Sequence, residues 1–155
     1  MRTCQSVVID RPCAEVFAFV TDLRNELRWQ PEIVAVTLDG PLRVGGHFHE
    51  TRVTFGRRFE WEFRITELEA PRRIAIETVA GAFPYRGARI FEDLGDGRTR
   101  VSEVGELRLP RALRLAGPAL AWLARAPLRE AYGRLRAILE GDEPRVVAQG
   151  GAPSP

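Results

Sequence analysis

The chain predicts an α+β fold: a curved antiparallel sheet of six or seven strands around one long C-terminal helix, with two short helices after the first strand. Two observations carry this. Residues 44–107 form an unbroken series of short, alternating, aromatic-bearing segments separated by turns, and from about Pro110 to Glu140 apolar residues recur at helical spacing. A single curved sheet closed by a single helix does not easily fill its own middle. The pattern therefore predicts an apolar cavity between sheet and helix, and a small-molecule site within it.

Residues 3–9 alternate as a strand, and Asp10-Arg11-Pro12 ends it. Proline at a first helical position and Glu15 in the first turn suit a helix start, and Val16, Phe17 and Val20 recur along one side. Residues 23–29 read as a second short helix, stopped by Gln30-Pro31, and residues 33–38 as a strand. After the Asp39-Gly40-Pro41 turn and Gly45-Gly46 come the strand 47–54, a tight turn at Phe55-Gly56, and the clearest strand, 58–68. In it Phe59, Trp61, Phe63 and Ile65 alternate with Glu60, Glu62, Arg64 and Thr66. Strands at 73–79, 85–94 and 99–109 follow, the last two joined at Gly95-Asp96-Gly97.

Leu113, Ala116, Leu120, Leu123, Leu128, Ala131, Leu135, Ile138 and Leu139 then form a mostly one-sided stripe. Pro118 and Pro127 interrupt it, each costing about 3 kcal/mol inside an unbroken helix. They predict a kink or a short helix before the long one, with Pro118 opening the latter. Residues 142–155, rich in Gly, Pro and Ala without periodicity, read as a disordered tail, so residues 1–141 are expected to form a single domain.

Composition narrows the chemistry. All 23 basic residues of the 155-residue chain are arginine, which rules out Schiff-base, P-loop lysine and lysine-base mechanisms. The net charge of +2 is spread along the chain without the concentrated basic face that nucleic acid requires, so no nucleic-acid partner is expected. No window reaches the length of a membrane span, and the opening residues run straight into a strand without a signal-like apolar stretch. These features predict a cytoplasmic protein. Its two cysteines, Cys4 and Cys13, are expected as buried thiols.

Taken in order, "VVIDRPCAEVFAFVTDL", Trp29-Gln30-Pro31, Val44-Gly45-Gly46, "ITELEAPRRIAIE", "GDGRTRV" and "LRAILEG" resemble one family. The chain is similar to START-related (SRPBCC, Bet v 1-like) domains of the polyketide cyclase/dehydrase and lipid-transport type, with the helix-grip fold, across roughly residues 3–141. The resemblance implies that the sheet wraps the C-terminal helix, with the two small helices supporting one end. It implies a pocket there for lipids, polyketides, hormones or isoprenoid quinones. Some members are aromatase/cyclases and others are carriers with no reaction, and none of the matching pieces is catalytic.

The candidate ligand-binding residues are Phe48, Phe59, Trp61, Phe63, Ile76, Phe91, Leu120 and Leu123, each either core or pocket wall. A two-residue turn at Phe55-Gly56 puts Phe48, Glu50 and Arg52 on the side of Phe59 and Trp61, whereas a three-residue turn would substitute His47, His49, Thr51 and Val53. The first is preferred because it leaves the histidines among the charges of Glu60 and Glu62. Catalytic candidates are Glu50, Arg52, Tyr85 and Arg89. For Glu50 and Arg52 a mutual ion pair at the pocket mouth is the favoured reading. Arg89 either meets a ligand carboxylate or phenolate or lies on the solvent face with Ala88 and Ile90 inward, the latter preferred.

His47 and His49 lack a third ligand, so no metal is expected. Trp29 reads as a structural plug, and Trp122 is open between cavity, membrane and partner. No nucleotide loop or catalytic triad is present, and no cofactor is expected. The favoured function is binding of a hydrophobic or amphipathic small molecule such as a lipid, polyketide or isoprenoid. A cyclase- or dehydratase-like enzyme is the alternative, and a protein-interaction module the third. Oligomeric state is not readable from the sequence.

Overall fold

The computed structural model describes residues 1–141; the predicted tail at 142–155 lies outside the described residues. Strand β1 (Arg2–Ile9) is followed by α1 (Cys13–Thr21), a 3-10 turn (Leu23–Asn25) and the single-turn α2 (Glu26–Trp29). The chain then winds through β2 (Ile33–Leu38), β3 (His47–Thr54), β4 (Arg57–Glu69), β5 (Arg73–Gly81), β6 (Tyr85–Gly95) and β7 (Arg98–Leu107). A 3-10 helix (Arg111–Ala116) leads into α3 (Gly117–Glu140). All seven strands form one antiparallel sheet in the order β1-β7-β6-β5-β4-β3-β2, a meander with β1 returned to its far edge.

Two turns set the register. At the β3–β4 hairpin Thr54 pairs with Arg57, so the loop has two residues, and Phe55 and Gly56 adopt φ of 52° and 72°, as a hairpin turn that follows the strand twist requires. Phe48, Glu50 and Arg52 therefore sit opposite Phe63, Trp61 and Phe59. The preferred two-residue register is the observed one. Asp96-Gly97 makes the equivalent β6–β7 turn, with Gly95 paired to Arg98.

The core lies on one face of the sheet. Val7 and Ile9 of β1, Val101 of β7, Phe91 of β6, Ile74 of β5, Phe63 and Ile65 of β4 and Phe48 of β3 point into it and meet Val16, Phe17 and Val20 of α1. The C-terminal half of α3 closes it with Ala131, Tyr132, Leu135 and Leu139, all buried. Burying a leucine of this kind contributes about 2 kcal/mol. Hydrogen bonds fasten that end: Arg11 Nε donates to the Leu139 carbonyl at 2.6 Å, and the Asp10 N–H donates to Glu140 Oε1 at 2.8 Å. Gly141, at φ 79°, ends the helix with its N–H turned back to the Ala137 and Ile138 carbonyls.

Pro118 stands in the first turn of α3 after the short 3-10 helix, while Pro127 is accommodated within α3. Towards this N-terminal end the helix is loosely held. Gly117 is buried there, Leu120, Ala121, Ala124 and Leu128 are half-buried, and the remaining residues of 111–128 other than Ala116 are exposed. No described helix is long and apolar enough to cross a membrane.

Candidate functional site

Where the core meets α2 it becomes ionic. Arg89, on the same face of β6 as Tyr85 and Phe91, donates through Nη1 to Glu26 Oε1 of α2 and through Nε to Glu103 Oε2 of β7 at 3.0 Å. The Tyr132 hydroxyl of α3 donates to the same Glu103 oxygen at 2.6 Å. The Arg89 guanidinium also lies 5.1 Å over the Trp29 ring, which meets Tyr132 edge-on at 5.3 Å. Beside them Arg52 pairs with the buried Glu50 and reaches Gln30 Oε1 at 3.4 Å. The helix α2 and the strands β3, β6 and β7 thus bring three carboxyls and two guanidiniums together.

Burying these charges together has an electrostatic consequence. Burial, helped by the nearby Glu50, pushes the Glu26 carboxyl up to about 7 against the pull of Arg89. Glu103 is buried too, but Arg89 and the Tyr132 hydroxyl outweigh its desolvation and hold it below its ordinary value. Burial likewise raises the Tyr85 and Tyr132 phenols, with Glu103 adding to both. Burial thus favours the protonated form of the Glu26 carboxyl. The Glu26 Oε2, together with Trp29 Nε1 and Gln30 Nε2, is buried without a hydrogen-bond partner among the described residues.

The space beside this cluster is small. Leu23, Glu26, Phe48, Ile74, Ile76, Tyr85, Arg89 and Glu103 border a void of only about 20 Å³, the size of one water molecule. The inner face of the sheet is filled by stacked Phe48 and Phe63 (5.1 Å between ring centres), by Tyr85 edge-on to Phe63, and by Phe91 against Phe17. This corrects the expectation of a roomy apolar cavity on that face: large rings and paired charges occupy it.

A larger space lies elsewhere between sheet and helix. A cleft of about 740 Å³ runs across β1, β7, β6, β5 and β4 and is bordered by Ala121, Ala124, Arg125 and Leu128 of α3. Its sheet side chains are mostly of the outer parity, with Cys4, Ala75, Ala88 and Val104 between Glu67, Arg73, Glu77, Arg86 and Glu106. The Tyr85 ring covers Gly87 and Gly105 on the core side, where a Cβ on Gly105 would stand 2.6 Å from its hydroxyl oxygen. Both glycines nonetheless border the cleft, together with the small side chains beside them. Small residues on both walls create it. Most rim charges are paired: Arg86 with Glu106 at 2.6 Å, Arg73 with Glu67, Arg64 with Glu77. Arg125 borders the cleft from the helix and makes no ion pair among the described residues.

The predicted residues divide between these places. Glu50 and Arg52 form the ion pair favoured from the sequence. Arg89 corrects its preferred solvent-face placement: its side chain is 12% exposed, and Ala88 faces outward while Phe91 faces in. Phe48, Phe63 and Phe91 are buried in the core, and Phe59 and Trp61 are half-buried neighbours at 5.7 Å. Ile76 borders both the void and the cleft, whereas Leu120 and Leu123 border neither; Leu123 is exposed. His47 meets Glu62 at 2.7 Å and His49 meets Asp39 at 3.2 Å, and no group of three metal-capable side chains occurs among the described residues. Cys4 is exposed beside the cleft, against the expectation of burial; Cys13 is buried. The sequence pattern does not single out Glu26, Glu103 or Tyr132. Glu103 is within its reach, since it shares a parity with Val101 and Gly105, but Glu26 sits on a helix too short to show a face.

The family model for polyketide cyclase/dehydrase and lipid transport matches residues 2–140. Among solved structures, TTHA0849 from Thermus thermophilus superposes with a TM-score of 0.78 at 18% identity, over 93% of this chain and 100% of its own. A START superfamily protein from Mycobacterium smegmatis gives 0.75 at 17% identity, over 90% and 97%. The di-domain ARO/CYC StfQ of the steffimycin biosynthetic pathway gives 0.68 at 21% identity, over 90% of this chain and 45% of its own. At these identities the likeness speaks to fold alone. No curated protein sequence matches the chain.

Proposed function

The chain belongs to the polyketide cyclase/dehydrase and lipid transport family, and from that premise we propose that it binds a hydrophobic or amphipathic small molecule in the cleft beneath the N-terminal half of α3. The carrying observation is one of size. About 740 Å³ falls within the range of small-molecule sites, roughly 300–1,000 Å³, while the void of about 20 Å³ on the core side does not. Ala75, Ala88, Val104, Ala121, Ala124 and Leu128 offer the ligand an apolar bed, and Arg125 offers a cation for an acidic or phenolic end. Lipids, polyketides and isoprenoids that carry such a group fit this chemistry.

The test is titration with cis-parinaric acid, a fluorescent fatty acid, alongside native mass spectrometry of freshly purified protein. Saturable binding by the wild type, lost in Ala124→Phe at unchanged melting temperature, supports the reading. Wild-type affinity in Ala124→Phe contradicts it.

One observation favours a second reading, cyclase- or dehydratase-like chemistry. Glu26, with its carboxyl near 7, faces a void shared with Tyr85 and Arg89 and adjoins Glu50 and Arg52, which makes it the proton donor of choice and the others its orienting groups. A substrate would reach it only if the void of about 20 Å³ widened. On this reading Glu26→Gln lowers kcat on an aromatic polyketide mimic more than it raises KM; unchanged kcat removes it.

A further inference from the structure

The first half of α3 has two apolar faces, and the cleft uses only one. Ala121, Ala124 and Leu128 border the cleft, while Ala119, Trp122, Leu123 and Ala126 follow the same i, i+3, i+4, i+7 spacing on the opposite side, all exposed. Trp122 is 67% exposed and Leu115, on the preceding 3-10 helix, is 96% exposed; Leu113 adds to the patch. Soluble domains rarely leave a tryptophan and several leucines together in water, and such a patch marks an interaction surface.

Charge identifies the partner. Residues 107–129 contain five arginines, Arg108, Arg111, Arg114, Arg125 and Arg129, and no aspartate or glutamate. All five are exposed, Arg125 on the side that borders the cleft and the other four outside it. A second copy docking through the same face would bring these arginines against their own equivalents, which opposes self-association. An anionic bilayer complements them and accepts the rest: arginines at the phosphate level, tryptophan at the interface, leucines among the upper acyl carbons. With no described helix able to span a membrane, the helix would lie along the surface.

We infer that the 3-10 helix and the outer face of the first half of α3, with Leu113, Leu115, Trp122 and Leu123 flanked by arginines, form a docking surface for anionic lipid bilayers. Docking would set the cleft, on the other side of the same helix, next to the membrane. The inference stands whether or not the cleft holds a ligand.

Co-sedimentation of the full chain with vesicles of phosphatidylglycerol and phosphatidylcholine, against vesicles of phosphatidylcholine alone, tests it. Binding to the anionic vesicles should exceed binding to the neutral ones by roughly tenfold or more, given the gain per basic residue near the surface, and should weaken with added salt. Tryptophan emission should shift to the blue on binding, because Trp29 is buried and Trp61 half-buried, leaving Trp122 as the wet indole. Leu115→Glu with Trp122→Glu should abolish sedimentation and the shift while leaving the melting temperature and cis-parinaric acid binding in vesicle-free solution intact. No binding to anionic vesicles, equal binding to neutral ones, or a Trp122-dependent dimer that ignores vesicles would each overturn the inference.

Discussion

The two halves of α3 belong to one helix with one continuous inward stripe, yet they do opposite things. In residues 131–139 the stripe is Ala131, Tyr132, Leu135 and Leu139, side chains that reach the sheet, α1 and α2 and are buried there. In residues 121–128 it is Ala121, Ala124 and Leu128, over a band where the sheet carries Ala75, Ala88 and two glycines, and a cleft remains. The bulk of Tyr132, Leu135 and Leu139 fills the anchored end, where Ala121 and Ala124 leave room. Polarity divides likewise: the anchored half has its charge paired inside, through Tyr132 to Glu103 and Arg89, whereas the open half wears arginine and bare leucine outside.

The sharpest way to break this contrast is to strike the buried charges. Arg89→Met leaves Glu26 and Glu103 without their shared cation and should cost about 3–5 kcal/mol in urea unfolding; a loss below about 1 kcal/mol would mean that the cluster is not structural. Next comes an identical truncation at each end. Leu135→Ala, in the anchored half, should cost about 3 kcal/mol, and Leu128→Ala, beside the cleft, about 1 kcal/mol. Equal losses would remove the distinction between the halves.

The smallest effect is a slope. Folded Glu26 keeps its proton to about 7, while its ordinary value is 4.5. Between these the folded state binds more protons than the unfolded one, so stability falls as pH rises and levels off above about 7. Glu103, held low, contributes stability that is lost only in more acid solution, outside this window. Glu26→Gln should flatten the slope between 4.5 and about 7; an unchanged slope assigns it to other groups.

The anchored half is partly legible in the sequence. Alternation in β4, the Phe55-Gly56 and Asp96-Gly97 turns, the proline before α1 and the leucine stripe all act locally, so the strands, their register and the helix can be read from neighbours. The ionic cluster cannot. Its hydrogen bonds span 63 positions between Glu26 and Arg89 and 29 between Glu103 and Tyr132, and nothing near Glu26 in sequence marks it as buried. The alternation misplaces Arg89 because Ala88 and Ile90 are apolar enough to be inward; the bulk of Phe91, on the arginine's own parity, is what decides the face. The cleft escapes for a related reason. Alanines and glycines make a hollow by what they fail to fill, and residue type alone does not say whether a neighbour fills it instead.

Amide hydrogen exchange along α3, with and without cis-parinaric acid, tests the central claim most directly. The account predicts slow exchange at residues 131–139 and fast exchange at 119–128 in the free protein, with the fatty acid slowing 119–128 alone. Protection that appears at residues 131–139 instead, or no change along the helix at saturating ligand, would contradict it.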